Sequence, residues 1–172
     1  MEILEERALV QSALDLLSSS FPLCEIRPDT KHVEVLSDES FHPCHIYEQG
    51  QFIGLLYYWT HHHWCYVEHL ATSPELRGRG MGALVIQWLQ QQIPGGVIIL
   101  EIEPPEDEIT RRRQGFYLRQ GFVMNHSYLH IHPSYRSTTE PHELKVMSYP
   151  RELTAEEFAD FRHYSLCHII KR

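Results

Sequence analysis

Several features are missing from this sequence, and each absence excludes a class. No stretch approaches 18 consecutive apolar residues, so no membrane-spanning helix is expected. The opening Met-Glu-Ile-Leu-Glu-Glu-Arg is acidic and lacks the basic start and unbroken apolar run of a secretory leader, which points to the cytoplasm. There is no Cys-x-x-Cys pair. Cys24, Cys44, Cys65 and Cys167 are widely spaced and read as reduced packing thiols, not a disulfide framework. Basic residues are few: 15 Lys and Arg against 23 Asp and Glu leave a net charge of −8. That excess argues against general nucleic-acid binding, which needs a basic face, and favours a cationic acceptor such as an amine. Internal repeats and low-complexity tracts are also lacking.

What remains is ordinary globular material: 172 residues, 42% hydrophobic, with nine tyrosines. It is enough for one domain spanning residues 1–172. Val10, Ala13, Leu14 and Leu17, with Ile3 one heptad earlier, predict an amphipathic helix over residues 1–20, ended by Ser18-Ser19-Ser20 and Pro22. Residues 31–36 and 44–49 fit either short strands or loop. The run 51–59 is aromatic and branched and reads as a buried strand, hairpinned to a second strand at 64–71. A helix over 79–92 stops at Pro94-Gly95-Gly96, and 97–102 is a strand buried on both faces. Ile109, Arg112, Arg113, Phe116 and Tyr117 share a face of a further helix, capped at its end by Gly121. Residues 122–131 and 144–149 read as two final strands. A last helix over 151–172 has Thr154 and Glu157 as a capping box and Leu153 and Phe158 as a hydrophobic staple. The order predicts a mixed α/β fold, a largely antiparallel central sheet flanked by helices, with an extra C-terminal helix. That helix packs on the core or on a second subunit, which leaves a homodimer open.

The most informative stretch is Tyr66 to Leu89. An apolar strand leads through Thr72-Ser73-Pro74-Glu75-Leu76 into Arg77-Gly78-Arg79-Gly80-Met81-Gly82. The period then changes to a helical one, with Met81, Leu84, Val85, Trp88 and Leu89 on one face. The first N–H groups of a helix lack partners and carry positive dipole. Glycines there let a ligand approach the backbone, so the turn reads as a phosphate or pyrophosphate cradle. Arg77 and Arg79 add mobile positive charge. No Lys-Ser or Lys-Thr follows, which excludes a Walker A loop. Gly78-x-Gly80-x-x-Ala83 with Glu101 about 20 residues on matches a relaxed dinucleotide fingerprint. Against it, Thr72 to Arg77 separate the strand from the first glycine.

The form Gln/Arg-x-x-Gly-x-Gly/Ala of residues 77–82, preceded by Leu-Ala-Thr-Ser-Pro-Glu-Leu-Arg, resembles the GNAT superfamily of acyl-CoA N-acyltransferases. A second segment, Gly115-Phe-Tyr-Leu-Arg-Gln-Gly-Phe122, is similar to that family's later helix and its Tyr-x-x-x-Gly-Phe ending. The resemblance covers roughly residues 45–150. It implies acetyl-CoA as cosubstrate, held by Arg77, Gly78, Arg79, Gly80, Met81 and Gly82 and by the backbone of Leu70, Ala71 and Thr72 along the pantetheine arm. It also implies direct acetyl transfer to the amine of a small molecule.

Such a transfer needs a base for the amine and an acid for the departing thiolate. Tyr117, four residues before Gly121, is where the family often has that acid; a plain core tyrosine is the other reading. The family's asparagine seven residues earlier is Thr110 here. Glu68, a carboxylate in an apolar strand, is either the base or the partner of a His or Arg. Strict alternation puts Tyr66, Glu68 and Leu70 on one face and Val67, His69 and Ala71 on the other. Arg111, Arg112 and Arg113 are a solvated helix face or a phosphate contact. Among 13 histidines, His61 and His63 with Cys65, and His130 with His132, repeat an i, i+2 spacing. Without a second fixed-spacing pair these read as strand-edge or pocket residues, and no metal is expected. Glu101, Glu103 and Tyr135 are further pocket candidates. The competing functions are a non-catalytic CoA-binding or regulatory protein on this fold, and a protein or peptide N-acetyltransferase.

Overall fold

The aromatic run beginning at Gln51 forms the longest strand of the sheet, and the rest of the chain is layered on it. The computed structural model describes residues 1–136 and 142–170. In order, its elements are β1 (Glu2–Glu5), α1 (Gln11–Ser20), a 3-10 turn (Leu23–Glu25), α2 (Asp29–Val35), β2 (Phe41–Glu48), β3 (Gln51–His61) and β4 (Trp64–Thr72). There follow α3 (Met81–Gln92), β5 (Val97–Ile102), α4 (Glu108–Arg119), β6 (Val123–Met124), β7 (His130–His132), β8 (His142–Tyr149), α5 (Ala155–Tyr164) and a π turn (Ser165–Ile169). The strands lie in the order β1-β2-β3-β4-β5-β8-β6, with β7 also on β8. Among the described residues every pairing is antiparallel except β4 with β5. No described helix is long and apolar enough to cross a membrane.

Period-two alternation divides the core between the two faces of the sheet. Leu55, Tyr57 and Trp59 pack with α1, α2 and α5 through Leu17, Val35 and Phe161. Leu56 and Tyr58 pack with α3 and α4 through Val85, Leu89 and Tyr117. Full burial of one such side chain contributes about 1.5–3 kcal/mol.

Several expectations are corrected. Residues 2–5 are not helical: β1 supplies the edge of β2 with backbone partners, Ile3 opposite Ile46, and the helix starts only at Gln11. The ambiguous residues resolve differently, 29–35 as helix after Pro28 and 41–48 as strand. The single strand expected over 122–131 is broken. Asn125 accepts from the Leu153 N–H at 2.8 Å and donates to Ser148 Oγ at 2.8 Å, a buried side-chain network that replaces the ladder between β6 and β7. The capping box of Thr154 and Glu157 is present, but α5 ends at Tyr164. Its Phe158 and Phe161 pack on this chain's own sheet. Leu84, expected on the buried stripe of α3, is 47% exposed, and Ile86 is buried instead.

Two irregularities in β4 build the site. Tyr57 is opposite His69 and Tyr58 opposite Val67, so Glu68 is the extra residue of a β-bulge. Strict alternation therefore fails. Ala71 joins Tyr66 in the core on the α1 side, and His69 faces Phe21 and Tyr57 there, on the face where Glu68 bonds Trp59. The parallel ladder between β4 and β5 also stops at Val67 opposite Leu100, although β4 runs on to Thr72 and β5 to Ile102. The strands splay beyond that point and leave a slot.

Candidate active site

The slot leads to the glycine turn. After the 3-10 turn Pro74–Leu76, Gly78 and Gly80 adopt φ of 79° and 82°, the left-handed region that an L side chain enters only with strain. Gly80 caps α3 without a side chain. The N–H groups of Gly80, Met81 and Gly82 find no carbonyl acceptor among the described residues. A Cβ at Gly78 or Gly80 would meet nothing within 4 Å, so the backbone is open to a ligand, whereas one at Gly82 would lie 3.3 Å from Phe116 Cζ. Close approach at Gly82 is thus what seats the first turn of α3 against α4.

A cleft of about 1160 Å³ runs from this turn through the slot to the corner between α1 and α2. Of the residues singled out in the sequence, Glu68, Leu70, Ala71, Thr72, Arg77, Gly78, Gly80, Met81, Gly82 and Tyr117 all line it, and Arg79 does not. Arg111, Arg112 and Arg113 line it as well. Arg113 pairs with Glu103, and Arg111 donates to the carbonyls of Pro105 and Glu106. Thr110 is committed to helix capping: its N–H donates to Asp107 Oδ1 at 2.8 Å and its hydroxyl accepts from the Asp107 N–H at 3.0 Å.

Tyr117 is buried in the wall, and its hydroxyl makes no hydrogen bond to any described residue. Burial pushes its pKa up to about 12, with Arg113 opposing, so the phenol keeps its proton. Glu68 is fully engaged. One oxygen accepts from Arg27 Nη2 at 2.7 Å and from the Tyr135 hydroxyl, the other from Trp59 Nε1 at 2.8 Å. Burial opposes its charge, but Arg27, His69 and these donors overcome it and hold the carboxyl down at about 2.

Sequence reasoning did not single out His69 as a cleft residue. The bulge that brings it beside Glu68 has no residue signature, and alternation assigned it to the far side. His69 lines the cleft. Its Nε2 lies 2.9 Å from the Glu25 carbonyl, which only accepts, so Nε2 carries the proton and Nδ1 offers a lone pair. Nδ1 is closed off from solvent and has no partner among the described residues, and a small ring movement would bring it to the cleft. Burial, against the pull of Glu68, lowers its pKa and keeps the ring neutral.

The histidine pairs separate. His61 stacks on Tyr164 and His63 lies 3.1 Å from Glu157, while Cys65 is buried on the opposite face. His130 and His132 instead meet Glu101. Residues 134–136 close the corner: the Tyr135 N–H donates to the Cys24 carbonyl at 2.9 Å, and Arg136 donates to the Ile26 and Arg27 carbonyls at 2.9 and 3.0 Å.

Residues 40–124 match the family model of the acetyltransferase (GNAT) domain. A GNAT-family protein from Bacteroides thetaiotaomicron, named as an acetyltransferase, superposes with a TM-score of 0.86 at 27% identity, covering 100% of this chain and 99% of that one. Residues 40–124 of the chain carry a GNAT acetyltransferase domain. An aminoglycoside 6′-N-acetyltransferase complexed with coenzyme A shares the fold, with a TM-score of 0.59 and 14% identity over 86% of this chain and 96% of that one. So does the ribosomal-protein-S18-alanine N-acetyltransferase of Escherichia coli, at 0.58 and 13% identity over 90% and 96%. No curated protein matches the chain in sequence. With that domain the protein is an acetyl-CoA-dependent N-acyltransferase. The open glycines, unpartnered N–H groups and splayed strands suit a pyrophosphate joined to a long thioester arm.

Proposed function

We propose that this GNAT enzyme acetylates the primary amine of a small molecule by direct transfer. The observation that carries the acceptor class is the hydrogen-bonded bridge between residues 134–136 and 24–27. In this reading the bridge borders the acceptor end of the cleft beside Ser19, Phe21 and Glu25, a space that suits a compact amine. The net charge of −8 favours a cationic amine on encounter.

When bound, acetyl-CoA supplies an activated thioester carbonyl. In this reading the N–H groups of Gly80, Met81 and Gly82 hold its pyrophosphate, with Arg77 adding charge. Leu70, Ala71 and Thr72 present the unpaired edge of β4 to the pantetheine arm. His69 Nδ1 takes the proton that the attacking amine loses, and Tyr117 gives its proton to the departing sulfur. Proton exchange through the opened cleft after product release resets both groups, so protons balance and no covalent enzyme intermediate is needed. Glu68 is ionised but a weak base, because its lone pairs are spent on Arg27, Tyr135 and Trp59. It fixes Tyr135 and the bulge, and so positions His69.

The test is thiol release from acetyl-CoA with polyamines, amino sugars, amino acids and a peptide library. Turnover with a small amine and none with peptides is expected. Turnover confined to peptides would overturn the acceptor class, and acetyl-CoA binding with no turnover on any amine would favour a regulatory role.

A further inference from the structure

Three buried side chains that the transfer does not use meet on one face of the sheet. Glu101 comes from β5, and His130 and His132 come from β7, the strands on either side of β8. Glu101 is in register with Val146 and His130 with Leu144, so their side chains share the face on which Val146 is buried. The Glu101, His130 and His132 side chains are each only 4% exposed. His130 Nε2 contacts Glu101 Oε1, and His132 Nδ1 lies 3.0 Å from Glu101 Oε2. Glu101 Oε1, both nitrogens of His130 and Nδ1 of His132 are sealed from solvent. Glu101 Oε1 and His130 Nε2 meet only each other, His132 Nδ1 meets only Glu101 Oε2, none of these contacts has hydrogen-bond geometry, and His130 Nδ1 has no partner among the described residues. Buried polar atoms left in that state cost stability, and four at one point require a cause.

We propose that Glu101, His130 and His132 bind a divalent first-row metal ion, zinc in particular. One ligand atom from each residue lies within 4.8 Å of the others. Tetrahedral zinc with bonds of about 2.0–2.1 Å sets its ligands about 3.3 Å apart, so the side chains need only small rotations. Two imidazoles and one carboxylate suit zinc and its neighbours and disfavour calcium and magnesium, which take oxygen ligands. The surroundings also fit. The Tyr66 hydroxyl donates to Glu101 Oε2 at 2.6 Å and orients the carboxylate. The rings of Phe158 and Phe161 lie 6.1 and 5.8 Å from His130 and form an apolar shell. Glu101 and His132 are also among the residues that line the cleft, so the ion would lie behind its wall. The ion ties β7 to β5 across β8 and fixes that wall. The i, i+2 spacing of the histidines was visible in the sequence; the third ligand, 29 positions before His130, was not.

The test does not depend on acyl transfer. The purified protein is stripped with EDTA, dialysed and titrated with zinc chloride, following both stoichiometry and thermal unfolding. Expected are one saturable zinc per chain, a higher melting temperature with zinc, and binding weakened at least ~10-fold in Glu101→Gln and in His132→Gln. Circular dichroism confirms that each variant is folded. Absence of saturable binding and of a melting shift in the unmodified protein would overturn the proposal without recourse to variants. So would unchanged zinc affinity in both folded variants, which would place the ion on exposed groups such as His163 and Cys167, 3.9 Å apart.

Discussion

Arg27 and Glu68 form an ion pair of 2.7 Å whose side chains are 1% and 2% exposed. Arg27 stands in the connector between α1 and α2 and Glu68 in the bulge of β4, so one contact joins the helical corner to the sheet. The guanidinium also lies over the rings of Tyr135, Trp59 and Phe41, at 4.8, 5.4 and 5.6 Å. A planar, weakly hydrated cation suits this cage better than an ammonium.

Replacing Arg27 by Met leaves Glu68 charged, buried and unpaired. Stability is expected to fall by about 3–5 kcal/mol, measured by urea unfolding. Adding Glu68→Gln should recover part of the loss, because the uncompensated charge is then gone. Equal stability of the single and double variants would show that packing, not charge, sets the cost.

The same carboxylate gives a pH dependence. Its pKa is about 2 in the folded chain and about 4.3 when unfolded, so in the window between these values the unfolded chain binds the extra proton. The stabilisation is complete above this window and is lost as pH falls through it. Denaturation midpoints measured from pH 6 down to pH 2 should fall less steeply in Glu68→Gln than in the unmodified protein.

His69 titrates below the ordinary histidine value, chiefly because it is buried. The acidic limb of kcat/KM should therefore lie below about 6.5, with activity rising as the ring loses its proton. His69→Gln should lower kcat by roughly 10²-fold and abolish the limb. A limb that survives in His69→Gln and disappears in Glu68→Gln would return the base to Glu68.

Tyr117→Phe removes the proposed acid and keeps the ring. A fall in kcat of about 10²-fold with acetyl-CoA affinity unchanged is expected from calorimetry and steady-state rates. Because burial raises the phenol to about 12, no alkaline limb should arise from Tyr117 in the usual assay range.

Gly80→Asp places a Cβ at φ 82° and a negative charge where the pyrophosphate is expected, and acetyl-CoA should bind at least ~10-fold more weakly. Gly50→Asp is the control. Its φ is 76°, so the backbone strain is comparable, but it lies in the β2–β3 turn, and cosubstrate binding should not change.

The sequence by itself determined the glycine turn and the central strands. A glycine run before a helical period, and continuous apolar runs before and after it, encode local geometry that survives in any packing: glycines reach left-handed φ, helix N-termini lack acceptors, and apolar strands bury both faces. Capping chemistry at Thr154 and Glu157 was legible for the same reason. The tertiary structure alone decided what depends on pairing. Residues 2–5 became a strand because β2 had a free edge, against a helical spacing of apolar residues. The bulge at Glu68 turned His69 and Ala71 to the other face, since one extra residue reverses every side chain after it. Arg27 met Glu68, and Glu101 met His130 and His132, across chain separations over which residue order carries no information about which side chains will share a buried space.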